Sequence, residues 1–122
     1  MDASAVLALL QREAGSEAVE EALSGARLST VNLAEIVGKA VERQVDVGSL
    51  AAGLAGLGVR LEPFTIRQAE IAGALLPRTR ALGLSLGDRA CLALALEADL
   101  PVLTADRAWR ALDPMPAIRL IR

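Results

Sequence analysis

Apolar and polar positions recur with two different periods along this chain, and each change of period marks an expected change of element. Ser4 to Arg12 and Ser16 to Leu23 read as two short helices divided at Gly15, with Gly25 ending the second. Arg27-Leu28-Ser29-Thr30 reads as a short strand. From Asn32 onward, Leu33, Ile36, Val37, Ala40 and Val41 fall at helical spacing and form one apolar stripe. A glycine-containing helix is expected over Val47 to Leu57, and Val59 to Pro63 alternates like a strand. Thr65-Ile66-Arg67-Gln68 has the capping-box form and opens a helix to about Leu76, ended before Pro77. The following PRTRALG reads as a loop. Leu86 to Ala98 is apolar nearly all round, so this helix is expected to be buried on most sides. Pro101 to Thr104 predicts a strand, Ala108 to Leu112 a helical turn, and Ile118 to Ile121 a last strand.

Strands that alternate with helices predict an α/β fold: a three-layer sandwich with a parallel central sheet and helices on both faces. No repeat, low-complexity tract or linker divides the chain, so residues 1–122 are expected to form one domain. In such folds, sites form outside the carboxyl ends of the strands. Helix N-termini point to the same edge.

Composition narrows the chemistry. A hydrophobic fraction of 53% excludes a disordered chain, and the longest uncharged stretch, Val47 to Val59, is too short for a bilayer. The absence of histidine removes Ser-His-Asp and Cys-His triads and His-ligated zinc. Cys91 is the only cysteine, so no intrachain disulfide forms and a reducing cytoplasm fits. Within an apolar helix, Cys91 reads as a buried small hydrophobe. A net charge of −2 argues against strong general affinity for nucleic acid while leaving a local basic patch possible. Any catalysis must therefore run on carboxylates, hydroxyls, arginines and a hard metal ion.

Four acids stand near element boundaries that should share one edge: Asp2 in MDAS, Glu35 in the first turn of NLAEIVGKA, Asp88 in the first turn of SLGDRACLALAL, and Asp106 after LPVLT. Each also has a plain structural reading. Glu35 can answer Asn32 in a capping box or pair with Lys39 four residues on, interactions worth ~0.3–1 kcal/mol. Asp88 can do the same for Ser85, Asp106 can cap the RAW turn, and Asp2 can be a solvated terminal residue. Their convergence has a physical cost, because like charges ~4 Å apart repel by ~4 kcal/mol at an effective dielectric of about 20. Oxygen-only donors without histidine or cysteine select Mg²⁺ or Mn²⁺ as the neutralising partner.

MDASAVLALL, STVNLAEIVGK, GLSLGDRACLALAL and LPVLTADRAW resemble, in order and spacing, the motifs of PIN-domain ribonucleases of the VapC toxin type. The similarity extends over essentially the whole chain, and the last two blocks are the most specific. The resemblance implies a metal-dependent endoribonuclease that is a cytoplasmic homodimer, inhibited by a small VapB-like antitoxin that inserts into the site. It implies that Asp2, Glu35, Asp88 and Asp106 hold Mg²⁺ or Mn²⁺, and that Ser4 and Thr104 support the site through hydroxyl hydrogen bonds. In that family the first aspartate ends an apolar strand central to the sheet, whereas here only Met1 precedes Asp2, so the first strand is truncated. A start upstream of Met1 is the expectation, since a missing middle strand exposes two sheet edges. With Met1 as the first residue, Asp2 is expected to be mobile.

Arg78, Arg80, Arg89 and Arg107 are candidates for RNA-phosphate contacts, with the solvated-charge reading beside each. Trp109 can stack on a base, although core packing is its simpler role. Two other classes compete with the nuclease. Aspartyl-phosphate chemistry places a lysine at the site edge, and the sole lysine, Lys39, falls on the polar face of a helix. A catalytically impaired domain of the same fold would serve only as a protein-binding partner.

Overall fold

The computed structural model describes residues 1–114 and 116–122. Its elements are α1 (Ala3–Leu10), α2 (Ser16–Ala22), β1 (Arg27–Ser29), α3 (Thr30–Glu42), α4 (Leu50–Gly56), β2 (Arg60–Glu62), α5 (Ile66–Ala74), α6 (Leu76–Thr79), α7 (Leu86–Ala98), β3 (Val102–Thr104) and β4 (Ile118–Leu120), with 3-10 turns at Arg80–Leu82 and Arg107–Leu112. The alternation of strand and helix places the chain in the α/β class.

Side-chain caps set where the helices begin. Ser29 Oγ accepts the Val31 N–H at 3.2 Å, so α3 starts at Thr30 rather than Asn32. That moves Glu35 from the expected first turn into the second. Thr65 Oγ1 accepts the Gln68 N–H at 3.1 Å, but the Gln68 amide turns away to Glu97 Oε1 at 3.1 Å. Only half of the expected capping box forms, because a tertiary acceptor competes with the local one. The stretch expected as the loop PRTRALG is helical in α6 and the turn after it, with Pro77 in the first turn of α6. Proline is tolerated there because that N–H would have no intrahelical partner.

The expected single central sheet is not what the described residues form. β1 pairs in parallel with β2, Leu28 opposite Leu61, and β3 pairs in parallel with β4, Leu103 opposite Arg119. Between the pairs lie Met1 and Asp2. The Met1 amine donates to the Arg27 carbonyl at 2.9 Å, and the Asp2 N–H donates to the Leu103 carbonyl at 3.0 Å. Two residues bridge β1 to β3 but are too few to ladder them into one sheet. Beside Met1 the pairs are separated by a cleft of about 220 Å³ lined by Arg27, Leu94, Val102 and Leu103. Where a mobile terminus is expected, Asp2 is buried in this arrangement, at 3% exposure with its backbone N–H bonded to β3.

Two apolar clusters carry the fold. Val6, Val19, Leu28, Ile36 and Leu54 form one, and Leu75, Leu92, Val102, Trp109 and Leu112 form the other. α7 is buried along most of its length, as its sequence predicts, and packs against α3, α5, β1 and β3. Trp109 is wholly buried, so it belongs to the core and not to a base-stacking surface.

Gly15 caps α2 in the left-handed region at φ 89°, and a Cβ there would meet the backbone carbonyl of Ile121 well inside contact distance. Backbone cannot yield as a flexible side chain can. Gly15→Ala is expected to destabilise by about 2 kcal/mol or more, read by chemical denaturation.

Candidate active site

The four acids come from the ends of separate elements. Asp2 is the N-cap of α1, and its Oδ2 accepts the Ser4 N–H at 3.3 Å, the Ser4 hydroxyl, and the Thr104 hydroxyl at 3.0 Å. Each hydroxyl in turn accepts a backbone N–H, Ala105 onto Ser4 Oγ at 3.0 Å and Asp106 onto Thr104 Oγ1 at 3.1 Å. Ser4 and Thr104 have one proton each, and both are aimed at Asp2. All three donors converge on Oδ2.

Asp106 caps the 3-10 turn that follows β3, its Oδ1 accepting the Ala108 N–H at 2.9 Å. Asp88 forms a full capping box with Ser85: the Ser85 N–H donates to Asp88 Oδ2 at 2.8 Å and the Asp88 N–H to Ser85 Oγ at 3.1 Å. Glu35 is not a cap. Its Oε2 accepts from the Asn32 amide at 3.0 Å, and Asn32 also donates to the Gly87 carbonyl at 3.0 Å. Every one of these carboxylates therefore commits one oxygen to a protein donor and leaves the second out of that bond.

Electrostatics links them. Burial raises the proton affinity of Glu35 above the usual carboxylate range, and Asp88 and Asp2 raise it further against the lowering effect of the Asn32 hydrogen bond. Burial likewise raises that of Asp88, with Asp2 and Asp106 adding to it against the hydrogen bonds of Ser85. Lys39 lowers the proton affinity of Glu35 least among its neighbours. Three ion pairs among the described residues, Arg27–Glu62, Arg67–Glu97 and Arg122–Glu13, involve none of the four acids. Oxygen donors that repel one another suit a hard cation. Among the described residues no three acidic or sulfur side chains stand close enough to grip an ion together. Mg²⁺ keeps several waters and is commonly bound through one or two carboxylates, so the donor set fits it without a closed cage.

The arginine candidates divide. Arg78, Arg80 and Arg107 are exposed. Arg89 is directed elsewhere: its Nη1 donates to the Ala72 carbonyl at 3.2 Å, tying α7 to α5. Cys91, buried among apolar side chains, has its thiol pushed up to about 12 and stays protonated. Two residues of the site escape a reading based on acids alone. Asn32 enters it only as a possible cap for Glu35. Gly87 does not enter at all, yet a Cβ there would overlap the Glu35 carboxylate. A signal for Asn32 was present, since it shares a helix face with buried Ile36, where a polar residue needs a partner.

Residues 1–114 match the family model described as PIN domain. No curated protein and no solved structure matches the chain.

The sign of the pH effect follows from the raised proton affinities. A carboxyl that binds its proton more tightly folded than unfolded lends stability at low pH and loses it as pH rises through the folded value. Without metal, Glu35→Gln is expected to be more stable than the parent at about pH 7, with the difference vanishing below about pH 4. Thermal melts in EDTA across that range check it.

Proposed function

The chain belongs to the PIN-domain family, and from that membership we propose that it is a metal-dependent endoribonuclease, the toxin of a toxin–antitoxin pair. PIN domains are generally nucleases. The observation that carries this reading is the set of four carboxylates from distant parts of the chain, whose charges repel at Glu35 and Asp88 and which take part in none of the three ion pairs Arg27–Glu62, Arg67–Glu97 and Arg122–Glu13.

Asp2, Glu35, Asp88 and Asp106 would hold Mg²⁺ or Mn²⁺. When bound, such an ion supplies Lewis acidity at the phosphodiester and a water of lowered pKa. Asp2, fixed by Ser4 and Thr104, orients its outer oxygen without moving. Glu35, with its raised proton affinity, is suited to take the proton of the attacking water. Arg80 and Arg107, exposed, supply phosphate contacts. Arg78 is a third candidate, and the bond of Arg89 to Ala72 removes Arg89 from this role.

Exposed Leu10, Val41, Val45 and Leu57 support protein partners, a VapB-like antitoxin and a second copy of the chain. No helix among the described residues is long and apolar enough to cross a membrane. A cytoplasmic location belongs to the same proposal. The competing reading, a domain of this fold that only binds protein, is favoured by one observation, the lack of three donors in gripping range among the described residues.

Cleavage separates the two. The purified protein is expected to cut single-stranded RNA with Mn²⁺ and not in EDTA, and Glu35→Gln to lose 10²-fold or more, roughly the contribution of one acid–base group. Saturation with Mn²⁺ at about a hundredfold excess over Kd should stabilise by ~2.7 kcal/mol. Gly87→Ala is expected to lose activity with little change in stability, because the displaced group is the mobile end of Glu35. A melting temperature indifferent to Mn²⁺ together with intact RNA would leave only the binding role.

A further inference from the structure

Asn32 is wholly buried in α3, and its amide nitrogen serves two acceptors, Glu35 Oε2 and the Gly87 carbonyl, each at 3.0 Å. Those acceptors fix its orientation. Turned over, the Asn32 oxygen would face a carboxylate and a peptide oxygen, neither of which can donate. The consequence is that Oδ1 lies buried with no hydrogen-bond partner among the described residues.

An orphaned acceptor in a protein interior lowers stability. A residue selected for packing alone would be apolar, and leucine has nearly the same bulk. What the amide secures instead is position. Gly87 immediately precedes Asp88, so one NH₂ group holds the Glu35 carboxylate on α3 against the first turn of α7. The missing Cβ at Gly87 is what lets that carboxylate lie so close.

We propose that Asn32 is a positioning residue for the carboxylate site, setting Glu35 and Asp88 in register across two helices at the expense of its own unpaired oxygen. It holds Glu35 Oε2 while Oε1 lies against Gly87 at the start of α7. The inference rests on the nuclease reading in one respect only, that the site takes a divalent cation.

The test measures Mn²⁺ affinity by titration calorimetry and by the electron spin resonance of free Mn²⁺, beside melting in EDTA. Asn32→Leu is expected to bind Mn²⁺ 10–100-fold more weakly, the usual effect of removing a group that orients a ligand. Its metal-free melting temperature should change little, because losing the orphaned oxygen offsets losing the two hydrogen bonds to Glu35 and Gly87. Asn32→Ser serves if the leucine variant does not fold. In a Glu35→Gln background the Asn32 change should weaken binding little further, since the two residues act as one unit. A lower melting temperature with unchanged Mn²⁺ affinity would make Asn32 a purely structural residue and overturn the proposal alone. Additive losses in the double variant would do the same. Failure of the parent chain itself to bind Mn²⁺ would instead remove the nuclease reading, and this inference with it.

Discussion

A buried carboxylate on the second residue of the chain holds the site together. Asp2 is a charge in the interior, tolerable only because its Oδ2 gathers a backbone N–H and two hydroxyl protons. Those hydroxyls come from Ser4 and Thr104, about a hundred residues apart, and each passes its oxygen on to a backbone N–H of the turn after β3. The knot thus does three things at once. It starts α1, seats Met1 and Asp2 between β1 and β3, and orients the turn that presents Asp106. Removing any one donor would weaken all three.

The same economy recurs at the other acids. Asp88 and Asp106 are helix or turn caps by geometry and members of one electrostatic cluster by position. Capping and catalysis are often weighed as alternatives for an acid at a helix start. Here the two are compatible, because a carboxylate has two oxygens. One oxygen bonded to backbone N–H groups stiffens the side chain, and stiffness is what a preorganised site requires. Glu35 lies in the second turn of α3, past the free N–H groups of the first turn, and the same service falls to a side chain. Asn32 provides it.

The packing around these groups is aliphatic and tight. With two aromatic residues in the chain and Trp109 used in the core, helix contacts rely on glycine and alanine. Gly87 and Ala90 on α7 let α3 approach until the Glu35 carboxylate lies over the α7 backbone. Burial in this packing is also what desolvates Glu35 and Asp88.

The helices were legible from residue order because their causes are local. Apolar spacing marks α3, Ser85 and Asp88 mark the start of α7, and both are settled within a few residues of backbone. The α/β class could be read the same way, and so could the placing of the four acids near element boundaries, because their motifs are contiguous. Strand pairing could not, since it depends on which edges meet across the fold, and β1 and β3 meet only through Met1 and Asp2. Nor could the departure of Gln68 from its cap, because Glu97 is a neighbour in space and not in sequence. The chain's order specified which acids stand at element boundaries. Tertiary packing alone decided that Asp2 is buried, that Arg89 is turned to Ala72, and that Asn32 joins Glu35 to Gly87, because hydrogen bonds between distant residues exist only once the helices that carry them have docked.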